Sequence, residues 1–161
     1  MTAEEWVLVV TAFFSGLAAG ELGMLTAIIR PMQAAMDARE FRSFMEAFLR
    51  FADHSWGKVY NLAWAIVPTI GPVAALVLLW DDRGSTAFVL TAIALGIFIV
   101  GILVVSNVWK TPTYEMILAW NPEAPPADWE ATRQRYFTIN LIQTAVTWSA
   151  FALFLLALAS L

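Results

Sequence analysis

Glu21 is the only charged side chain in the apolar run from Trp6 to Ile29. An ionised group in hydrocarbon costs roughly 2 or more kcal/mol unless it is paired, protonated or turned toward water. Two roles meet that requirement. Glu21 accepts a proton from a bound molecule or anchors it, or it is a structural carboxyl hydrogen-bonded to Asn61, Asn107 or Gln143. His54, the single histidine, is the other side chain able to move protons near neutral pH. The plainer reading of His54 is a solvated imidazole at the membrane surface. Asn61, Asn107, Tyr114, Asn140, Gln143 and Thr144 are the polar side chains that could bind a substrate or steady a developing oxyanion. Asn140, Gln143, Thr144 and Thr147 share one helix face by spacing, a stripe that serves equally as interhelical hydrogen bonding.

The elements that carry these groups are hydrophobic helices. The chain has 161 residues, 60% of them hydrophobic and 14% charged, the balance expected when lipid is the solvent. Four spans are expected, at about residues 6–29, 59–80, 86–109 and 136–161. Arg30-Pro31 is expected to end the first span, and Pro68 and Pro72 to kink the second. Residues 31–53 alternate Met32, Met36, Phe41, Met45 and Phe48 with charges at a helical period, which predicts an amphipathic helix lying at the interface. Residues 110–135, with Pro112, Pro122, Pro125 and Pro126, read as a loop. The expected fold is therefore all-α, a four-transmembrane-helix bundle in one domain over 1–161, with an interfacial helix between the first and second spans.

Composition also excludes classes of function. Without cysteine, the chain cannot form disulfides, iron–sulfur clusters or thiolate zinc sites. One histidine cannot supply paired haem ligands or a three-histidine site, so no metal and no cofactor is expected. A net charge of -4 without a Lys/Arg cluster argues against nucleic acid. Residues Met1 to Trp6 hold Glu4 and Glu5 but no base, so the first apolar segment is expected to be retained rather than cleaved.

Basic residues fix the expected orientation. Arg30, Arg39, Arg42, Arg50 and Lys58 lie in the first connection and Lys110, Arg133 and Arg135 in the third, against Arg83 alone in the second. Basic connections stay cytoplasmic, so both termini are expected on the non-cytoplasmic side of a plasma (inner) membrane. Trp6, Trp56, Trp80 and Trp109 sit near span ends, as interfacial anchors do. Gly16, Gly20 and Gly23 thin one face of the first helix for close packing. In this arrangement Glu21, Asn61, Asn107, Asn140, Gln143 and Thr144 all fall in the cytoplasmic half, with His54, Tyr60 and Tyr114 at the mouth of a pocket there.

The segment Lys110-Thr111-Pro112-Thr113-Tyr114-Glu115-Met116-Ile117-Leu118-Ala119-Trp120-Asn121-Pro122 resembles the signature after the third helix of the anthrone oxygenase-like family of small four-helix membrane proteins. That signature reads approximately Asn-Val-Pro-Leu-Asn-x-x-Leu-x-x-Trp-x-Pro, and Pro112, Trp120 and Pro122 match in register. Trp129, Tyr136, Asn140 and Thr144 are similar to its positions entering the last helix. The family's two asparagines fall on Lys110 and Tyr114 here, and its arginine falls on Gln143. The resemblance implies the membrane fold. It also implies a cofactor-independent oxygenase acting on a hydrophobic phenolic or quinone-like substrate, with the chemistry altered where those three residues differ.

In that reading Glu21 or His54 is the base, and amides steady the anion. The alternative is a non-catalytic accessory or scaffold subunit, docked on a membrane protein partner or a second copy of the chain. A transporter fits less well, because no internal repeat is visible.

Overall fold

A computed structural model describes residues 1–161 and is all-helical, without strands. Four of its helices are long and apolar enough to cross a membrane. We number the helices α1 (Ala3–Ala34), α2 (Ala38–Ala52), α3 (Ser55–Leu78), α4 (Thr86–Leu118) and α5 (Trp129–Ala159).

The four long helices pack in a ring in chain order: α1 against α3, α3 against α4, α4 against α5, and α5 against α1. Their shared core comprises Leu8, Leu22 and Leu25 of α1, Ala75 of α3, Phe98 and Ile102 of α4, and Ala150 and Phe154 of α5. Small residues recur because apolar side chains gain nothing by leaving lipid, and association then rests on close packing. At Gly101 of α4 a methyl group would overlap the side chain of Val146 on α5. Of the glycines on α1, Gly16 faces Phe151 and Gly23 faces Trp148, both on α5, while nothing lies within 4 Å of the Gly20 position.

The helices run further than their hydropathy predicts. α1 continues through Arg30-Pro31 to Ala34, and α4 continues nine residues past Trp109 to Leu118. Each contains a wide turn shortly before its proline. The Arg30 N–H reaches back to the Leu25 carbonyl, and the Thr111 N–H to that of Ser106, five residues in each case. A proline ring collides with the carbonyl four residues back in a regular helix. Widening the turn ahead of Pro31 and Pro112 relieves that collision, so neither proline ends its helix. α3 runs without interruption through Pro68 and Pro72 with no wide turn ahead of them, and begins at Ser55 rather than Val59. α5 begins at Trp129 rather than Tyr136. The expected loop over 110–135 is thus helical at both ends, and only the stretch from Ala119 to Asp128 is not.

The amphipathic segment is also shorter than the expected 31–53. It breaks at Ala35–Asp37 and restarts as α2 behind a capping box, in which the Asp37 side chain accepts from the Glu40 N–H at 2.9 Å and the Glu40 carboxylate accepts from the Asp37 N–H at 3.0 Å. Phe41 and Met45 on its apolar stripe are fully covered by protein. They form a second core with Ile117 and Trp120 from the end of α4 and with Tyr136 and Phe137 near the start of α5.

Two arginines close this second layer. Buried Arg133 on α5 donates to the Gln33 and Met36 carbonyls at 3.3 and 2.7 Å, satisfying the open end of α1, and stacks on Trp129 at 4.4 Å. Arg42 on α2 donates to the Trp120 and Leu118 carbonyls at 2.9 and 3.1 Å and so caps α4. The first and third connections therefore meet at one end of the helix ring.

Candidate functional site

Two cavities open at that end, beneath α2, and Glu21 lines both. The outer one, of about 400 Å³, is walled by Phe44, Phe48 and Phe51 of α2 and by Gly57, Tyr60 and Asn61 of α3. The inner one, of about 210 Å³, adds Trp64 of α3 and Ser106, Lys110 and Tyr114 of α4. Phe48, Ala52 and Asn61 belong to both, so Glu21 stands where a mostly apolar vestibule meets a more polar interior.

The wide turn at Ser106–Lys110 places two of the inner wall's polar groups on one side of α4. Lys110 Nζ donates to Gln143 Oε1 at 2.8 Å, and Gln143 Nε2 donates to Ser106 Oγ at 2.8 Å. Gln143 is itself 1% exposed, so this chain ties α4 to α5 deep inside the ring. Across the cavity, Glu21 Oε2 is buried without a hydrogen-bond partner. Glu21 and Lys110 thus share one cavity without a direct ion pair.

Asn61 holds the lid in place. Its Nδ2 donates to the Ala52 carbonyl at the end of α2 at 3.1 Å, and its Oδ1 accepts from Trp64 Nε1 at 3.2 Å. The α2–α3 corner is tight. Ser55 has a φ of 32°, in the left-handed region that non-glycine residues rarely occupy. A methyl at Gly57 would overlap the Phe51 carbonyl.

The remaining residues singled out in the sequence fall in different places. Tyr114 lines the inner cavity, and Gln143 reaches it through Lys110. Asn107 is exposed and donates to the Leu103 carbonyl of its own helix at 2.7 Å, so it does not join Glu21. Asn140 is buried with its Oδ1 unpartnered, and neither cavity includes it. Thr144 belongs to the α1–α5 seam, 2.7 Å from Thr26 Oγ1 and 3.0 Å from the Leu22 carbonyl. His54 is exposed at the N-cap of α3 and lines neither cavity, whereas Glu21 lines both.

Lys110, Ser106, Trp64 and the α2 phenylalanines also line the cavities and stand outside the candidates drawn from the sequence. Lys110 had a signal: it stands at the end of a long apolar run, and at a position where the resembled signature carries an asparagine. Reading residues 110–135 as a loop hid it, since a loop lysine faces water. The arrangement as a whole can seat an apolar molecule under α2 with one polar group between a carboxylate and an ammonium. No protein-family model, curated protein or solved structure matches the chain.

Proposed function

We propose that this is an integral membrane protein that binds a neutral, hydrophobic phenol or enolisable ketone in the Glu21 cavity and oxidises it with molecular oxygen without a bound cofactor. The observation that carries this reading is the shared cavity of Glu21 and Lys110 beneath an aromatic lid. A carboxylate and an ammonium together favour a ligand without net charge, and the walls of the vestibule favour an apolar body. Resemblance to the anthrone oxygenase-like family points the same way.

Glu21 takes the proton from the activated carbon or hydroxyl, and Lys110 with its Gln143 support stabilises the resulting enolate by charge and hydrogen bonding. The enolate gives its electrons to oxygen. A carbon–oxygen bond forms, the hydroperoxide loses water, and a methylene becomes a carbonyl. The proton held by Glu21 leaves with that water, so the carboxylate is restored each cycle.

The membrane setting follows from the four apolar helices. Trp56 and Trp109, both exposed, mark the interface at the α2 end. α2 and the projecting ends of α1 and α4 then form a cytoplasmic cap, with the outer cavity open at the interface where a lipid-soluble substrate arrives.

Purified protein in lipid nanodiscs, supplied with anthrone, tests this by oxygen uptake and quinone absorbance. Glu21→Gln keeps the shape and cannot accept the proton. It should bind anthrone and lose about 10²-fold or more of the rate. An unchanged rate overturns the role of Glu21, and absence of both binding and turnover in the native protein favours the accessory-subunit reading.

A further inference from the structure

We infer that Lys110 is a covalent capture site, forming an imine with apolar aldehydes or ketones that enter the Glu21 cavity. The inference rests on the reading of this cavity as a ligand site and adds a second chemistry to it. The chain has two lysines, and their surroundings differ. Lys58 is exposed and 3.6 Å from Asp53, an ion pair in water. Lys110 projects into a cavity whose other walls include Leu22, Leu25, Phe48, Leu49 and Trp64. Lysines in water-poor pockets are the ones that attack carbonyl groups.

Three features assemble the reaction. Gln143 accepts one N–H of Lys110 at 2.8 Å, which fixes the nitrogen and leaves the rest of its substituent sphere toward the cavity. Glu21, one of whose carboxylate oxygens is buried without a hydrogen-bond partner, lines the same cavity, which places its carboxyl to exchange a proton with the amine. The outer cavity, of about 400 Å³, gives an aromatic or long-chain carbonyl compound room for its apolar body.

The Lys110 ammonium first passes a proton to the Glu21 carboxylate; the amine nitrogen then bonds to the carbonyl carbon, and one of its protons moves to the oxygen to give a carbinolamine. Glu21, now the acid, protonates the departing hydroxyl, the carbon–oxygen bond breaks, and water leaves as the carbon–nitrogen double bond forms, which leaves a protonated imine beside the restored Glu21 carboxylate. The imine is hydrolysed by the reverse path, so capture is reversible.

2-Naphthaldehyde with borohydride trapping, followed by peptide mass mapping of the full chain in nanodiscs, tests the inference. 2-Naphthalenemethanol, which has the same body and no carbonyl, reports binding. Lys110 should be modified at least about tenfold faster than Lys58, in competition with the alcohol, and more slowly in Glu21→Gln. Lys110→Arg, which retains charge and length, should bind the alcohol and give no adduct above that at Lys58. Equal slow labelling of both lysines, with the alcohol still bound, overturns the imine and leaves the cavity reading intact. Failure of the native protein to bind the alcohol, together with equal labelling, overturns both.

Discussion

Lys110 and Gln143 are joined by a 2.8 Å hydrogen bond in which the amine of one helix donates to the amide oxygen of its neighbour. Gln143 passes the connection on to Ser106 at 2.8 Å. Gln143→Leu would leave the half-buried Lys110 amine without its partner. We expect a loss of about 1–3 kcal/mol in reversible unfolding in mild detergent. Lys110→Met should recover part of that loss in the double variant, because it removes the group left unpaired. Strict additivity of the two changes would show that the bond contributes nothing.

Arg133 closes α1 from a different helix, through the Gln33 and Met36 carbonyls. Arg133→Met keeps much of the apolar stem and loses both donors. It should cost about 1.5–3 kcal/mol and loosen the end of α1, read as faster amide exchange at Ala34 to Asp37. Unchanged exchange there would contradict the capping role.

Gly101 and Val146 mark the closest approach of α4 to α5. Gly101→Ala is expected to destabilise by about 1–3 kcal/mol through overpacking. Val146→Ala should rescue it by making room. A neutral Gly101→Ala would mean that the two helices sit further apart than described.

Much of this architecture is legible in the residues. Apolar runs mark four helices, whereas the expected helix over 31–53 misses the Asp37–Glu40 capping box at which α2 starts. Glu21 announces a polar interior because nothing else in its run is charged. Helix ends are not legible in the same way. Pro31 and Pro112 are strong stop signals in a regular helix, and they fail as stops because wide turns at Leu25–Ile29 and Ser106–Lys110 precede them. A turn that reaches back five residues leaves no mark in hydropathy. Lys110, which shares a cavity with Glu21, is illegible for the same reason, since it becomes a cavity residue only when the helix continues through it. Depth along their helices puts Asn107 and Asn140 in the expected pocket. Depth does not fix rotation: Asn107 faces outward, and Asn140 is buried away from both cavities.

Orientation in the membrane has its own test. Eight of the nine basic residues lie in or beside the connections at the α2 end, which predicts that this end is cytoplasmic. The chain has no cysteine, so single cysteines at exposed Ser43 and Gly84 can be labelled in intact cells without background. Gly84 should react with an impermeant maleimide from outside, and Ser43 only after permeabilisation. The reverse pattern would invert the protein in the membrane.

The proposed function places a hydrophobic ligand beneath α2 against Glu21. A rival location exists: an apolar groove of about 420 Å³ between α1 and α3, lined by Trp6, Val10, Ile66 and Ile70 and without a charged side chain. A phenol carrying a diazirine, photolysed on the protein in nanodiscs and mapped by peptide mass spectrometry, separates the two. Crosslinks at Phe48, Ala52, Trp64 and Tyr114, lost on competition with the unmodified phenol, are the predicted result. Crosslinks confined to Trp6, Val10, Ile66 and Ile70, or insensitive to competitor everywhere, would contradict it.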